Sequence, residues 1–313
     1  MECRTPFFCF IAVACLSYAV LAHGEIYQWT DSNGKVHFSD QRPRADQLSD
    51  VVPESQAHRW RGFKIAITDK SLSLTAAEVR KIETGVNHVY WLYDRVLFFD
   101  MYKTVPVNIT ILADEADYYA YLQEKLGPDV PPSRGMYLRA DNQIVAYIQK
   151  DRARSFRTIN HEVSHALLAT LAPHTAAWLN EGLAEQAELL QEKLGDMRIL
   201  GDRGQFRTTV NGYADESLPP LREFLAMHSG EWSRTNRHGN YGLQSYTGTF
   251  CYFLFSSVQG RALLTRLIHR YERGTQGTAV ALVDELYTGG VDMLEVQWQA
   301  FLRGAPPRYI TLQ

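Results

Sequence analysis

The chain predicts an α+β fold, in which a small mixed sheet backed by helices is followed by a mostly helical C-terminal subdomain. Three observations carry this reading. Strand-like and helix-like patterns alternate between residues 63 and 149, two amphipathic helices follow between 155 and 194, and the chain to about residue 302 then reads largely as short helices.

In order, Phe63 to Thr68 reads as a strand, Thr75 to Phe98 as a helix, Val105 to Leu112 as a strand and Glu115 to Leu126 as a helix. Gly135 to Leu138 and Gln143 to Gln149 form a strand pair around Arg139-Ala140-Asp141-Asn142, the second placed as the sheet edge that leads into the next helix. From Ser155 to Leu171 the residues Phe156, Ile159, Val163, Ala166, Leu167 and Thr170 recur at helical spacing, and Pro173 closes the segment. Ala177 to Leu194 is a second helix, with Gly195 as its C-terminal cap. Beyond Gly201 the chain reads as irregular to about Pro220.

The start of the chain has a different composition. Arg4 precedes an apolar run from Pro6 to Ala22, and Val20-Leu21-Ala22 offers the small residues of a signal-peptidase site, so residues 1–22 read as an export signal cleaved after Ala22. A single membrane anchor is the alternative, since roughly 18 apolar residues just span a bilayer. Cys3, Cys9 and Cys15 fall inside this signal, which leaves Cys251 as a buried, unpaired thiol after cleavage. Ile26 to Asp31 and Lys35 to Asp40 alternate around Ser32-Asn33-Gly34, a hairpin signature. Residues 46–60, just after Pro43 and containing Pro53, read as a linker.

Composition is that of an ordinary globular protein, at 45% hydrophobic and 21% charged. A formal net charge of −3 without a long basic run excludes an electrostatic footprint for nucleic acid. No second apolar segment follows the first, so no stable membrane span is expected after signal cleavage.

The chemistry lies in His161-Glu162-Val163-Ser164-His165, an HExxH pattern on the 155–171 helix. A separation of four places both imidazoles on one helical face within reach of one ion, and Glu162 leans over the same site, where it can take a proton from water at the metal. Zn2+ suits such ligands and has no redox chemistry. Two histidines on a helix are commonly surface or core residues, so the surroundings decide. Here the pattern sits mid-helix beside an apolar stripe, and Trp178-Leu179-Asn180-Glu181-Gly182-Leu183-Ala184-Glu185 opens another helix, offering the helix-borne carboxylate that a third ligand requires. Metzincins are set aside because Leu168 and Leu171 stand where their motif needs glycine and a third histidine. His174 follows Pro173 in a loop and is a poor ligand.

HEVSH and WLNEGLAE resemble the gluzincin metallopeptidases, in particular the peptidase MA-like domains of bacterial exported proteins. The resemblance runs from about Phe63 to Leu302 and includes the late Glu-x-x-Trp pattern of Glu295 and Trp298. It implies a zincin-like subdomain at 61–195, a helical subdomain at 196–313, Zn2+ held by His161, His165 and Glu181, and Glu162 as general base. The interval of 15 residues between His165 and Glu181 is shorter than in the better-known gluzincins, whereas the 19 residues before Glu185 match some of them better. The local motif favours Glu181 as ligand and leaves Glu185 to orient a ligand imidazole. Gluzincins also supply a Tyr or His to the oxyanion. The candidates are His238, Tyr241 and Tyr246, of which Tyr246 is placed first, with a core aromatic as its alternative. Separately, IYQWTDSNGKVHFSDQRP resembles a short N-terminal module of unknown function found in many exported proteobacterial proteins, placed at 23–45.

These features predict a periplasmic or secreted zinc metallopeptidase acting on a peptide or protein substrate. A zinc-binding scaffold without hydrolysis, or a hydrolase of a nonprotein amide such as a cell-wall crosslink, are the other readings, and fold alone does not separate them.

Overall fold

The computed structural model describes residues 62–104, 106–237, 241–275 and 278–312, together with the backbone of two strands near the N-terminus; the side chains of residues 103, 233, 236, 237 and 241 are not included. The expected signal at 1–22, the linker, His238 and the side chain of Tyr241 lie outside the described residues. The chain divides into two compact units, Met1–Arg61 and Gly62–Gln313. In the first, β1 (Tyr27–Thr30) and β2 (Val36–Ser39) pair antiparallel, with Tyr27 opposite Ser39 and Thr30 opposite Val36. This is the expected hairpin pairing; the Asn33-Gly34 turn is outside the described residues.

The second unit opens with β3 (Ala66–Asp69), α1 (Ala76–Trp91), β4 (Asn108–Leu112), α2 (Glu115–Leu126), β5 (Gly135–Leu138) and β6 (Gln143–Tyr147). The sheet order is β3-β4-β6-β5, with β3, β4 and β6 parallel and β5 antiparallel to β6. The edges are therefore β3 and β5, whereas the sequence placed the 143–149 strand at an edge. Ile144, Val145 and Ala146 are almost completely buried, which suits an inner strand, while Met136 and Tyr137 keep some exposure.

Thr75 and Glu78 begin α1 with a reciprocal capping box: Glu78 N donates to Thr75 Oγ1 at 3.2 Å and Thr75 N donates to Glu78 Oε2 at 2.9 Å. Regular helix ends at Trp91, followed by a wide turn over Leu92–Val96, and Phe98 at φ 59° breaks the run that was expected to stay helical. Glu78 also receives Arg152 Nε at 2.5 Å and Nη2 at 2.9 Å, tying the start of α1 to the first residue of α3 (Arg152–Leu171). Those Arg152 bonds, with the Thr75 backbone N–H, hold the Glu78 carboxyl down at about 2 against an ordinary value of 4.5. A depressed carboxyl stabilises the fold fully above its unfolded pKa and loses that contribution as pH falls through the folded one. Urea midpoints of wild type and Arg152→Ala are thus expected to differ most at neutral pH and to converge as pH falls from 4.5 toward 2. A gap that widens on acidification would reverse the sign of this coupling.

After α3 comes α4 (Ala177–Glu188), shorter than the helix expected to reach Leu194. The chain then forms a hairpin of β7 (Leu190–Lys193) and β8 (Asp196–Leu200), with Leu194 at φ 56° and Gly195 at φ 84° in its turn. Gly195 serves as a tight-turn residue here, because two successive positive φ angles match the twist of the strands. Another helix, α5 (Arg203–Ala214), occupies a stretch expected to be irregular; Asp202 caps it by accepting from Gly204 N at 2.7 Å and Gln205 N at 2.9 Å. The remainder is helical as expected: α6 (Leu221–Ala226), α7 (Ser229–Arg237), α8 (Tyr241–Phe255), α9 (Val258–Glu272), α10 (Ala279–Leu286) and α11 (Gly290–Arg303). A final strand, β9 (Tyr309–Leu312), pairs antiparallel with β8 and completes the sheet order β7-β8-β9.

The apolar helix α8 packs on α4, α5 and α9, which fixes the wall behind the expected metal ligands. An aromatic cluster of Trp178, Phe224, Tyr246, Phe250 and Trp298 fills the interface. α4 can approach α8 because position 182 is glycine: a Cβ there would run into Cys251 Sγ and lie 3.1 Å from Thr247 O. Gly182→Ala is expected to lower stability by about 1–3 kcal/mol, the usual cost of overpacking, read as a lower urea midpoint. An unchanged midpoint would show that the two helices separate without cost.

Candidate metal centre

α3 begins at the Asp151 cap, whose side chain accepts from Ala153 N and Arg154 N, and it presents His161 and His165 toward α4 and Glu162 toward β5. The buried Ile159, Val163, Ala166 and Leu167 hold the helix in place. The two imidazole rings are 4.7 Å apart and nearly perpendicular. Glu181, on α4, faces both of them: its Oε2 is 3.7 Å from His161 Nε2 and its Oε1 is 3.8 Å from His165 Nε2. His161, His165 and Glu181 thus form a group able to hold a metal ion.

Each opposite ring nitrogen has a side-chain oxygen close to it. His165 Nδ1 lies 3.0 Å from Asn180 Oδ1, and His161 Nδ1 lies 2.9 Å from Glu188 Oε1. The Asn180 oxygen places the His165 ring proton on Nδ1, and both Nε2 atoms face Glu181. Glu188 Oε1 sits off the ring N–H direction, so this second contact is close but not a well-aligned hydrogen bond. The expectation that Glu185 orients a ligand imidazole is therefore corrected: the carboxylate against His161 is Glu188, nearly one turn further along α4. Glu181, Glu185 and Glu188 recur at helical spacing on one face, a pattern visible in the sequence but taken only as far as Glu185.

Glu185 is buried and has amide partners. Gln244 Nε2 donates to its Oε1 at 2.6 Å, and Gln205 Nε2 donates to its Oε2. Gln244 Nε2 also reaches Glu181 Oε2 at 3.2 Å and so helps to fix the expected third ligand. Sequence reasoning missed Asn180, Glu188, Gln205 and Gln244. Asn180 stood beside the proposed ligand, whereas Gln205 lies on the helix read as irregular chain.

The electrostatics suit a cation. Burial alone lowers the His161 pKa, but Glu188, Glu162 and Glu181 outweigh it and lift the ring to about 10. Burial raises the Glu185 carboxyl, while Glu188, only partly buried, is held below the usual range by its contact with His161 and by the nearby Arg157 and Arg154, which outweigh its desolvation. Glu162 is raised by burial, an effect that the two histidines only partly offset. Its side chain packs against the edge strand at Gly135, where a Cβ would lie 2.9 Å from Glu162 Cγ and 2.8 Å from Thr158 Cγ2. Gly135 thus lets β5 pass directly over Glu162.

Tyr246 does not join this group. It is fully buried, stacked on Phe224 at 4.0 Å and on Trp298 at 5.7 Å, and its hydroxyl is paired with Tyr213 Oη at 2.7 Å. Both ring faces and the hydroxyl are occupied, and burial pushes the phenol well above its ordinary pKa, so the core reading applies and the expected oxyanion role is withdrawn.

Residues 13–57 match the model of a domain of unknown function, DUF4124, which covers the N-terminal hairpin and none of the candidate metal ligands. No curated protein matches the chain. Among the described residues, no helix is long and apolar enough to cross a membrane.

Proposed function

We propose that this protein is a zinc-dependent hydrolase of peptide bonds that works outside the cytoplasm, with His161, His165 and Glu181 as metal ligands and Glu162 as general base. The observation that carries this reading is the pair of Nε2 atoms facing the two oxygens of Glu181 at 3.7 and 3.8 Å, with Asn180 bonded to Nδ1 of His165 and Glu188 close to Nδ1 of His161. The donor set fits zinc, which takes imidazole nitrogen and carboxylate oxygen at about 2.0–2.2 Å and therefore spaces tetrahedral donors on the order of 3.4 Å apart. Three protein ligands also leave a fourth position open, as catalytic zinc sites do. When bound there, zinc supplies Lewis acidity toward a carbonyl oxygen and makes water more acidic.

Glu162 then accepts the proton that an attacking water must lose and can pass it to the departing amine, so one carboxyl serves both halves of the hydrolysis. Asn180 and Glu188 keep the two imidazoles oriented while this occurs. Among the described residues β5 pairs only with β6, so its outer edge offers unpaired backbone groups along a line that passes Glu162. An extended peptide laid on that edge gains backbone hydrogen bonds and brings a scissile carbonyl toward Glu162, which favours a peptide substrate over a nonprotein amide. The N-terminal match and the apolar leader support export.

The test is digestion of a peptide library by the purified protein, with zinc and after treatment with a chelator. Cleavage that disappears on chelation and returns with zinc is expected. Absence of cleavage by zinc-loaded protein, with zinc bound, favours the scaffolding reading.

A further inference from the structure

Another concavity, with none of the metal-site ligands in its lining, lies among α4, β8, α5, α8 and the segment before β9. Its volume is about 450 Å³, within the range of small-molecule sites. Leu189, Leu200 and Phe206 give it apolar walls.

Polar residues also belong to its lining. Gln186 lines it and is fully buried; its Nε2 donates to Gly248 O at 2.9 Å and Gly182 O at 3.3 Å, but its Oε1 has no hydrogen-bond partner. Arg203 and Arg308 also line the cavity, both exposed and, among the described residues, without a carboxylate partner. The one acidic residue in the lining, Asp202, has Oδ1 committed to the first turn of α5 through Gly204 N and Gln205 N. The lining therefore carries two arginines and one aspartate, a net positive charge. That balance favours an anion, and guanidinium matches the geometry of a carboxylate.

We infer that this cavity binds a small amphipathic carboxylic acid. Its carboxylate lies beside Arg203 and Arg308, and its apolar body against Leu189, Leu200 and Phe206. This site does not depend on the metal reading. It does adjoin the metal centre, because Gln205 forms part of its wall and donates to Glu185.

The experiment is calorimetric titration of the whole protein with N-acetylphenylalanine, which carries a carboxylate, a ring and an amide N–H, and with its C-terminal amide as the uncharged control. His165→Ala protein serves as host, so that a metal at the first site contributes no carboxylate binding. The acid is expected to bind, with the amide at least about tenfold weaker; Arg203→Ala combined with Arg308→Ala is expected to weaken the acid at least about tenfold. Both arginines are exposed, so the double variant should retain the wild-type melting temperature. Equal affinity for acid and amide, unchanged acid binding in the double variant, or inorganic phosphate binding as tightly as the acid would each overturn the inference.

Discussion

Glu162→Gln is expected to keep its full complement of metal while peptide hydrolysis falls by about 10²- to 10⁴-fold, the usual worth of a positioned general base. The amide preserves the volume that packs under Gly135 but cannot accept the proton. Glu162 is also absent from the group of His161, His165 and Glu181, so its loss leaves the ligand set intact. Metal analysis and steady-state hydrolysis on the same preparation separate the two effects. Near wild-type turnover in this variant would remove Glu162 from the mechanism, and loss of metal would place it among the ligands.

The second large effect distinguishes the three carboxylates of α4. Glu181→Ala removes the only one that faces both Nε2 atoms and is expected to abolish most zinc affinity, as loss of one of three protein ligands does. Glu188→Ala frees the His161 ring, and Glu185→Ala frees Gln244 and Gln205; each is expected to weaken affinity by roughly 10- to 100-fold, the range for residues that support a ligand from behind. Competition with a chelating dye measures all three. Complete loss in Glu185→Ala beside near-normal binding in Glu181→Ala would move the ligand assignment to Glu185 and favour the longer interval over the local motif.

The sequence made α3 and its histidines legible because helical periodicity and the HExxH pattern agree over the same residues. Glu181 was legible through its flanking Trp178 and Gly182, which the fold uses to set α4 against α8. The tertiary choices were not. Glu185 and Glu188 both lie on the ligand-facing side of α4, and which one meets His161 depends on how α4 crosses α3, which periodicity does not encode. The turn at Gly195 was misread because glycine with positive φ closes a helix and a tight hairpin equally well. α5 carries internal Gly204 and Gly212 and few apolar residues, so its helicity rests on the Asp202 cap and on packing against α8. β9 forms only through pairing with β8, more than a hundred residues earlier, a nonlocal contact. An aromatic such as Tyr246 reads the same in a core and in a site until its neighbours are known.

The central claim is a single metal site held by His161, His165 and Glu181. Elemental analysis of purified wild type, His161→Ala and His165→Ala after dialysis against zinc tests it most directly. One zinc per wild-type chain and essentially none in either variant is the predicted result; equal zinc in all three proteins would contradict it.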